Sequence, residues 1–325
     1  MTIPIDANVA ASQSPRRGVK ALLTIVIIIE VLWLIATIWS GGASGWQQAW
    51  PIAVAMVFGS FLAGATSEGG GAIAFPVLTL LFAVDPSDAR DFAWMIQAVG
   101  MNAAGFVIWR SGTPVIREII LPATAGGALG VVCGLYGFSG RFDPVELKLG
   151  FTSIWLAFGG VLLWTLRTRQ TRLPQRASAL GVFVVAVLGG AVSSQFGTGL
   201  DICVFSWLVL RCGADERIAT PTSVILMGLN ALFGVAVRVF QAAPISAEVL
   251  SWWWACVPIV VIGAPLGARW LRGKSRRLVV CLLLASIVAQ YAGALALLPM
   301  TGALAGLSAA LILSFAALFA WMTRA

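Results

Sequence analysis

"TSEGGGAIAFP" (residues 66–76) interrupts a long apolar stretch with one carboxylate and three consecutive glycines. A helix in lipid must satisfy its backbone internally, and an acid at that depth is costly. Glu68 and Gly69–Gly71 therefore predict a break in a membrane helix. The surrounding chain is a membrane chain by composition. It is 59% hydrophobic and 10% charged, with no histidine, whereas a soluble domain is about 25% charged. Soluble enzymes, nucleic-acid binders and secreted disulfide scaffolds are excluded on that ground. The net charge of +8 fits Lys and Arg gathered in cytoplasmic loops, with the lipid bilayer as partner and no nucleic acid. Five cysteines lie scattered in apolar segments without metal or redox spacing. No cofactor, metal cluster, P-loop or nucleophile–base pair is present in the sequence, so neither a pump nor an enzyme is expected.

Outward from the break, apolar segments lie at 21–40, 50–66, 71–84, 91–109, 117–138, 146–166, 178–194, 199–210, 218–237, 249–271, 278–298 and 302–322. A crossing needs about 20 residues. The segments 71–84 and 199–210 are short, and each follows a glycine-rich break. Each is either half of a discontinuous helix or the returning arm of a re-entrant hairpin. Loop charge chooses between these. With hairpins and a cytoplasmic N-terminus, only Arg90, Arg141, Lys148 and Arg238 of the 21 cations fall outside. With crossings, Arg110, Arg117, Arg167, Arg169, Arg172, Arg176 and Arg238 fall outside instead. The positive-inside rule favours hairpins and places both termini in the cytoplasm.

A shift of 128 residues (197 − 69) aligns the two breaks. Gly69 meets Gly197, Gly71 meets Gly199, Gly100 meets Gly228, Asn102 meets Asn230 and Asp88 meets Glu216. This reads as a duplication, a mark of many transporter folds. Three crossings separate the breaks, and an odd number inverts the second copy. The expected fold is an all-α polytopic membrane protein with two inverted repeats. Each repeat has a broken or re-entrant hairpin plus three transmembrane helices. The parts are an N-terminal tail and first helix (1–44), repeat 1 (45–168), a basic cytoplasmic loop (169–177), repeat 2 (178–298) and a C-terminal helix (299–325). The ridges Gly126, Gly130, Gly134 and Gly263, Gly267 read as helix packing faces or the seam of a homodimer.

The break chemistry points to a small anion. A half-helix N-terminus offers free N–H groups and the positive end of its dipole, and glycine lets a ligand approach the backbone. The first break supplies Thr66, Ser67, Gly69, Gly70 and Gly71. The second, "SSQFGTGLDICVF" (193–205), supplies Ser193, Ser194, Gln195, Gly197, Thr198 and Gly199. No basic residue lies near either break in the sequence. Asn102 and Asn230 line the path or bond the broken backbone, and Gln97 shares Asn102's helix. Glu68 and Asp201 are candidates for proton coupling, or they cap the half-helices.

"LAGATSEGGGAIAFPVLTLLF", an acid-rich turn and a glycine-bearing polar helix, repeated from 189 onward, resemble the sulfite exporter TauE/SafE family, also called the TSUP permeases. That family shows a G-x-G-G-G break followed by an apolar run with proline, twice per chain. Gly69–Gly71 and Pro76 match the first copy. The second has Thr198 between its glycines and Val204 in the proline's place. "RIATPTSVI" (217–225) resembles the family's R-A-x-G-T-S, with Thr222 and Ser223 matching its T-S. The resemblance covers about 45–298. It implies a bacterial inner-membrane permease for sulfite or an organosulfonate. Glu68 and Asp201 depart from the family's usual apolar residues there. Two other readings stay open: a thiosulfate-like importer using Cys203, and a non-transporting membrane scaffold.

Overall fold

The computed structural model describes residues 2–3, 15–40, 46–66, 69–168, 177–241, 244–271, 274 and 276–323. Ser67, Glu68 and the basic loop 169–176 lie outside the described residues. The helices are α1 (Pro15–Ser40), α2 (Trp46–Ala65), α3 (Gly69–Pro76), α4 (Pro86–Arg110), α5 (Ile120–Phe138) and α6 (Pro144–Thr168). They continue as α7 (Ala179–Phe196), α8 (Leu200–Ser206), α9 (Glu216–Val239), α10 (Ala247–Leu271), α11 (Arg276–Leu297) and α12 (Gly302–Thr323). A two-residue antiparallel ladder joins Thr2–Ile3 to Ala177–Ser178. Among the described residues nine helices are long and apolar enough to cross a membrane, and Ala49–Ala65 and Gly70–Leu81 are shorter.

At both breaks the chain doubles back. Gly59 and Ala63 of α2 lie against Ile73 and Gly70 of α3. Gly189 of α7 lies against Leu200 and Cys203 of α8, and Gly181, further back, lies against Trp207. Contacts that recede along one arm as they advance along the other define an antiparallel hairpin. The returning arms end alike, in wide π-type turns at Val77–Leu81 and Trp207–Arg211. A residue with positive φ follows each, Ala83 at 54° and Gly213 at 69°. Next comes an aspartate whose carboxylate caps the following helix. Asp85 accepts from Ser87 N, and Asp215 accepts from Arg217 N, both at 2.8 Å.

These features give a second offset beside that of the glycines. They recur at 130 residues (213 − 83; 215 − 85), not 128. At this offset Asp85 meets Asp215, each the cap of the following helix, whereas the 128-residue shift pairs Asp88 with Glu216. The glycines that the 128-residue shift pairs do different jobs. Gly69 starts α3, whereas Gly197 ends α7 in the left-handed conformation.

The halves exchange partners. α2 packs along α10, and α7 packs along α5. The glycine ridges are consumed in these intrachain seams. Gly130 of α5 sits on Val187 O of α7, and Gly267 of α10 sits on Phe61 O of α2. α4 and α9, the corresponding long helices, cross antiparallel. Trp94 faces Gly234, Asn102 faces Gly228 and Gly105 faces Ile225. Behind the crossing, Phe75 of α3, Phe151 and Trp155 of α6 and Phe196 of α7 form a buried aromatic cluster. The ring centroids of Phe75 and Phe196 are 5.4 Å apart. This cluster ties the first hairpin's returning arm to the base of the second tip.

Candidate functional site

The second tip is the turn Gly197–Thr198–Gly199, whose glycines have φ of +74° and +138°. Only glycine takes those values without strain. Gly197 N donates to Ser193 O at 2.7 Å, closing α7. A side chain at Gly197 would meet Arg90 O at 2.6 Å, so the tip rests directly on α4. The start of α8 is covered from within. Asp201 Oδ1 accepts from Gly199 N at 2.9 Å and from Thr198 Oγ1 at 3.3 Å, while Oδ2 has no partner. Asp201 is 1% exposed.

The first tip meets the second. A Cβ on Gly71 would lie 2.5 Å from Gln97 Nε2 and 2.8 Å from Thr198 Cβ. Gln97 lies against Gly71 and bonds the second tip. Its Nε2 donates to Ala93 O at 2.7 Å and to Gly197 O at 2.8 Å. Both acceptors are carbonyls, which fixes the amide's orientation and leaves Oε1 buried without a partner. Ser193 completes the constellation. Its Oγ accepts from Trp94 Nε1 at 3.1 Å and from Asn230 Nδ2 at 2.8 Å. With both lone pairs engaged, its hydroxyl proton is the part left to donate.

The structure thus brings Gly70, Gly71, Ser193, Gly197, Thr198, Gly199, Asp201 and Asn230 to one place. Other sequence candidates bond within their own helix or to other helices. Ser194 donates to Ala191 O, and Gln195 donates to Ser194 Oγ and Gly134 O, so both face α5. Thr66 bonds Leu62 O in its own helix. Asn102 donates to Gly228 O at the α4–α9 crossing. Cys203 lines an apolar cavity of about 320 Å³ with Phe196 and Phe319.

The expectation that no cation stands near a break fails in space. Asp91 accepts from Arg90 through Oδ1 at 2.8 Å and from Arg238 through Oδ2 at 2.8 Å. All three side chains are buried, and the one carboxylate holds two guanidiniums. The Arg90 guanidinium lies 5.5 Å from the Trp94 ring. It therefore stands one helical turn from the Trp94–Ser193–Asn230 junction. The sequence separates Asp91 from Arg238 by 147 residues, and only the antiparallel α4–α9 crossing joins them.

Residues 52–289 match a family model described as sulfite exporter TauE/SafE. The chain belongs to the sulfite exporter TauE/SafE family. Membership makes it a multi-pass membrane transporter of sulfur anions. No curated protein and no solved structure matches the chain. α1 and α12 lie outside the matched residues. Among the described residues no group of three His, Cys, Asp or Glu could hold a metal ion.

Proposed function

We propose that the chain is a secondary transporter of sulfite or a small organosulfonate, held where the two hairpin tips meet. The observation that carries this is the contact of Gly71 with Thr198, bridged by Gln97. Elements from both halves build one junction there, as alternating access around a fixed site requires. The antiparallel run of α4 against α9 supports two inverted repeats, with the tips entering from opposite faces of a bacterial inner membrane. Both termini are then cytoplasmic. The buried Arg90 guanidinium stands beside the junction, and the Ser193 hydroxyl donates to the oxyanion.

Asp201 carries the coupling proton in this reading. Ionised, it keeps the Gly199 amide and repels an anion. Protonated, it loosens its hold on that amide and admits the substrate. Glu68, beside the first tip in the sequence, is its proposed companion.

The test is flux into proteoliposomes across sulfite, sulfonates and carboxylates, with and without a pH gradient. Sulfur anions accelerated by the gradient, with Ser193→Ala lowering flux, support the reading. Equal flux of carboxylates, or an unaffected Ser193→Ala, contradicts it.

A further inference from the structure

Away from the junction, the end of the bundle that holds the α1 start, the α4 end and the α5 start carries two adjoining cavities. One, of about 410 Å³, is lined by Lys20, Ala21, Thr24, Phe106 and Arg110. The other, of about 620 Å³, lies between α4, α5 and α9 and has Arg117 on its wall. Phe106 walls both. The larger cavity is otherwise mainly apolar, with Trp109, Leu121, Ile225 and Leu229 among its lining. Leu121 is 78% exposed, which is tolerable on a surface bathed in hydrocarbon.

Lys20, Arg110 and Arg117 are all exposed, and among the described residues none is paired with an acid. Glu118, next to Arg117 in the chain, lines neither cavity. Two unpaired cations around one pocket, and a third on the wall of the apolar groove that shares Phe106 with it, have one complementary ligand in a membrane. It carries a phosphate at one end and acyl chains at the other. A soluble anion would satisfy the cations and leave the groove unused. Basic pockets between membrane helices hold anionic headgroups by this chemistry.

We propose that this end of the bundle binds an anionic phospholipid. Its phosphate sits between Lys20 and Arg110, and an acyl chain lies along the groove walled by Leu121, Ile225 and Leu229. Lys20 and Thr24 belong to α1, outside the family match, so this helix adds a lipid site to the transporter core. The site is independent of the transport reading.

The test is thermal unfolding of the purified full chain in neutral detergent with phosphatidylglycerol, phosphatidylcholine, inorganic phosphate or sulfite added. Phosphatidylglycerol is expected to raise Tm by roughly 3 °C more than phosphatidylcholine. The Lys20→Gln/Arg110→Gln double variant should lose that difference and keep the phosphatidylcholine response, and Lys20→Arg should retain it. Equal shifts from the two lipids, or a difference that survives in the double variant, overturn the proposal. A shift from inorganic phosphate or sulfite matching that from phosphatidylglycerol also overturns it, because the occupant is then a soluble anion.

Discussion

Gln97 donates its side-chain amide to the carbonyl of Gly197, 100 residues further along the chain, at 2.8 Å. The same amide group abuts Gly71 of the first break. One side chain on α4 therefore touches both tips, and its donor makes the bond to the Gly197 carbonyl. Gln97→Glu replaces that donor with an acceptor facing two carbonyls. It should abolish flux and lower stability more than Gln97→Ala. The alanine variant leaves the Gly197 carbonyl unpaired, a cost of about 1–3 kcal/mol. Thermal unfolding and sulfite flux of the two variants check the order.

The Arg90–Asp91–Arg238 cluster predicts an asymmetry. Asp91→Asn leaves two buried guanidiniums without their counter-charge, a loss of about 3–5 kcal/mol. Arg238→Gln leaves Arg90 paired with Asp91, so it should cost less in stability. It removes one guanidinium from beside the junction and should slow anion flux at saturating and subsaturating substrate alike. Melting temperatures rank the two stability effects, and initial rates report the charge.

Adjacent serines should behave differently. Ser193 sits in the junction with Trp94 and Asn230, while Ser194 bonds Ala191 O on the α5 side. Ser193→Ala should depress sulfite flux, and Ser194→Ala should leave it near wild type. Parallel flux measurements at equal protein density decide this.

Much of the fold was legible because lipid imposes simple rules. The acid and glycines at 66–71 can only be a break, and cation placement around "RTRQTRLPQR" (167–176) favours doubling back. The site was legible in kind but not in detail. Ser194 and Gln195 are as polar as Ser193, and one residue turns a helix by about 100°, which sends Ser194 to α5. Gln97 outranks Asn102 only because α4 crosses the Gly197 turn at that height. Arg90 and Arg238 read as loop charges until the antiparallel crossing places Asp91 between them. The 130-residue recurrence lay in "FAVD" (82–85) and "CGAD" (212–215), where a left-handed residue precedes a capping aspartate.

The glycine ridges predict a contrast in stability. A methyl at Gly130 would run into the α7 backbone at Val187 O, whereas one at Gly160 meets nothing within 4 Å. Gly130→Ala should destabilise the chain, and Gly160→Ala should be neutral or gain up to about 1 kcal/mol from helix propensity. Thermal unfolding of the two variants in the same detergent checks the sign.

The central claim is that the two tips meet to form the transport site. Sulfite flux through Gly71→Ala in proteoliposomes tests it most directly, because the added methyl would press on Gln97 Nε2 and Thr198 at the point of contact. The account predicts a loss of roughly tenfold or more, equivalent to about 1.4 kcal/mol on the barrier, in a protein that still unfolds cooperatively. Wild-type flux through Gly71→Ala would contradict it.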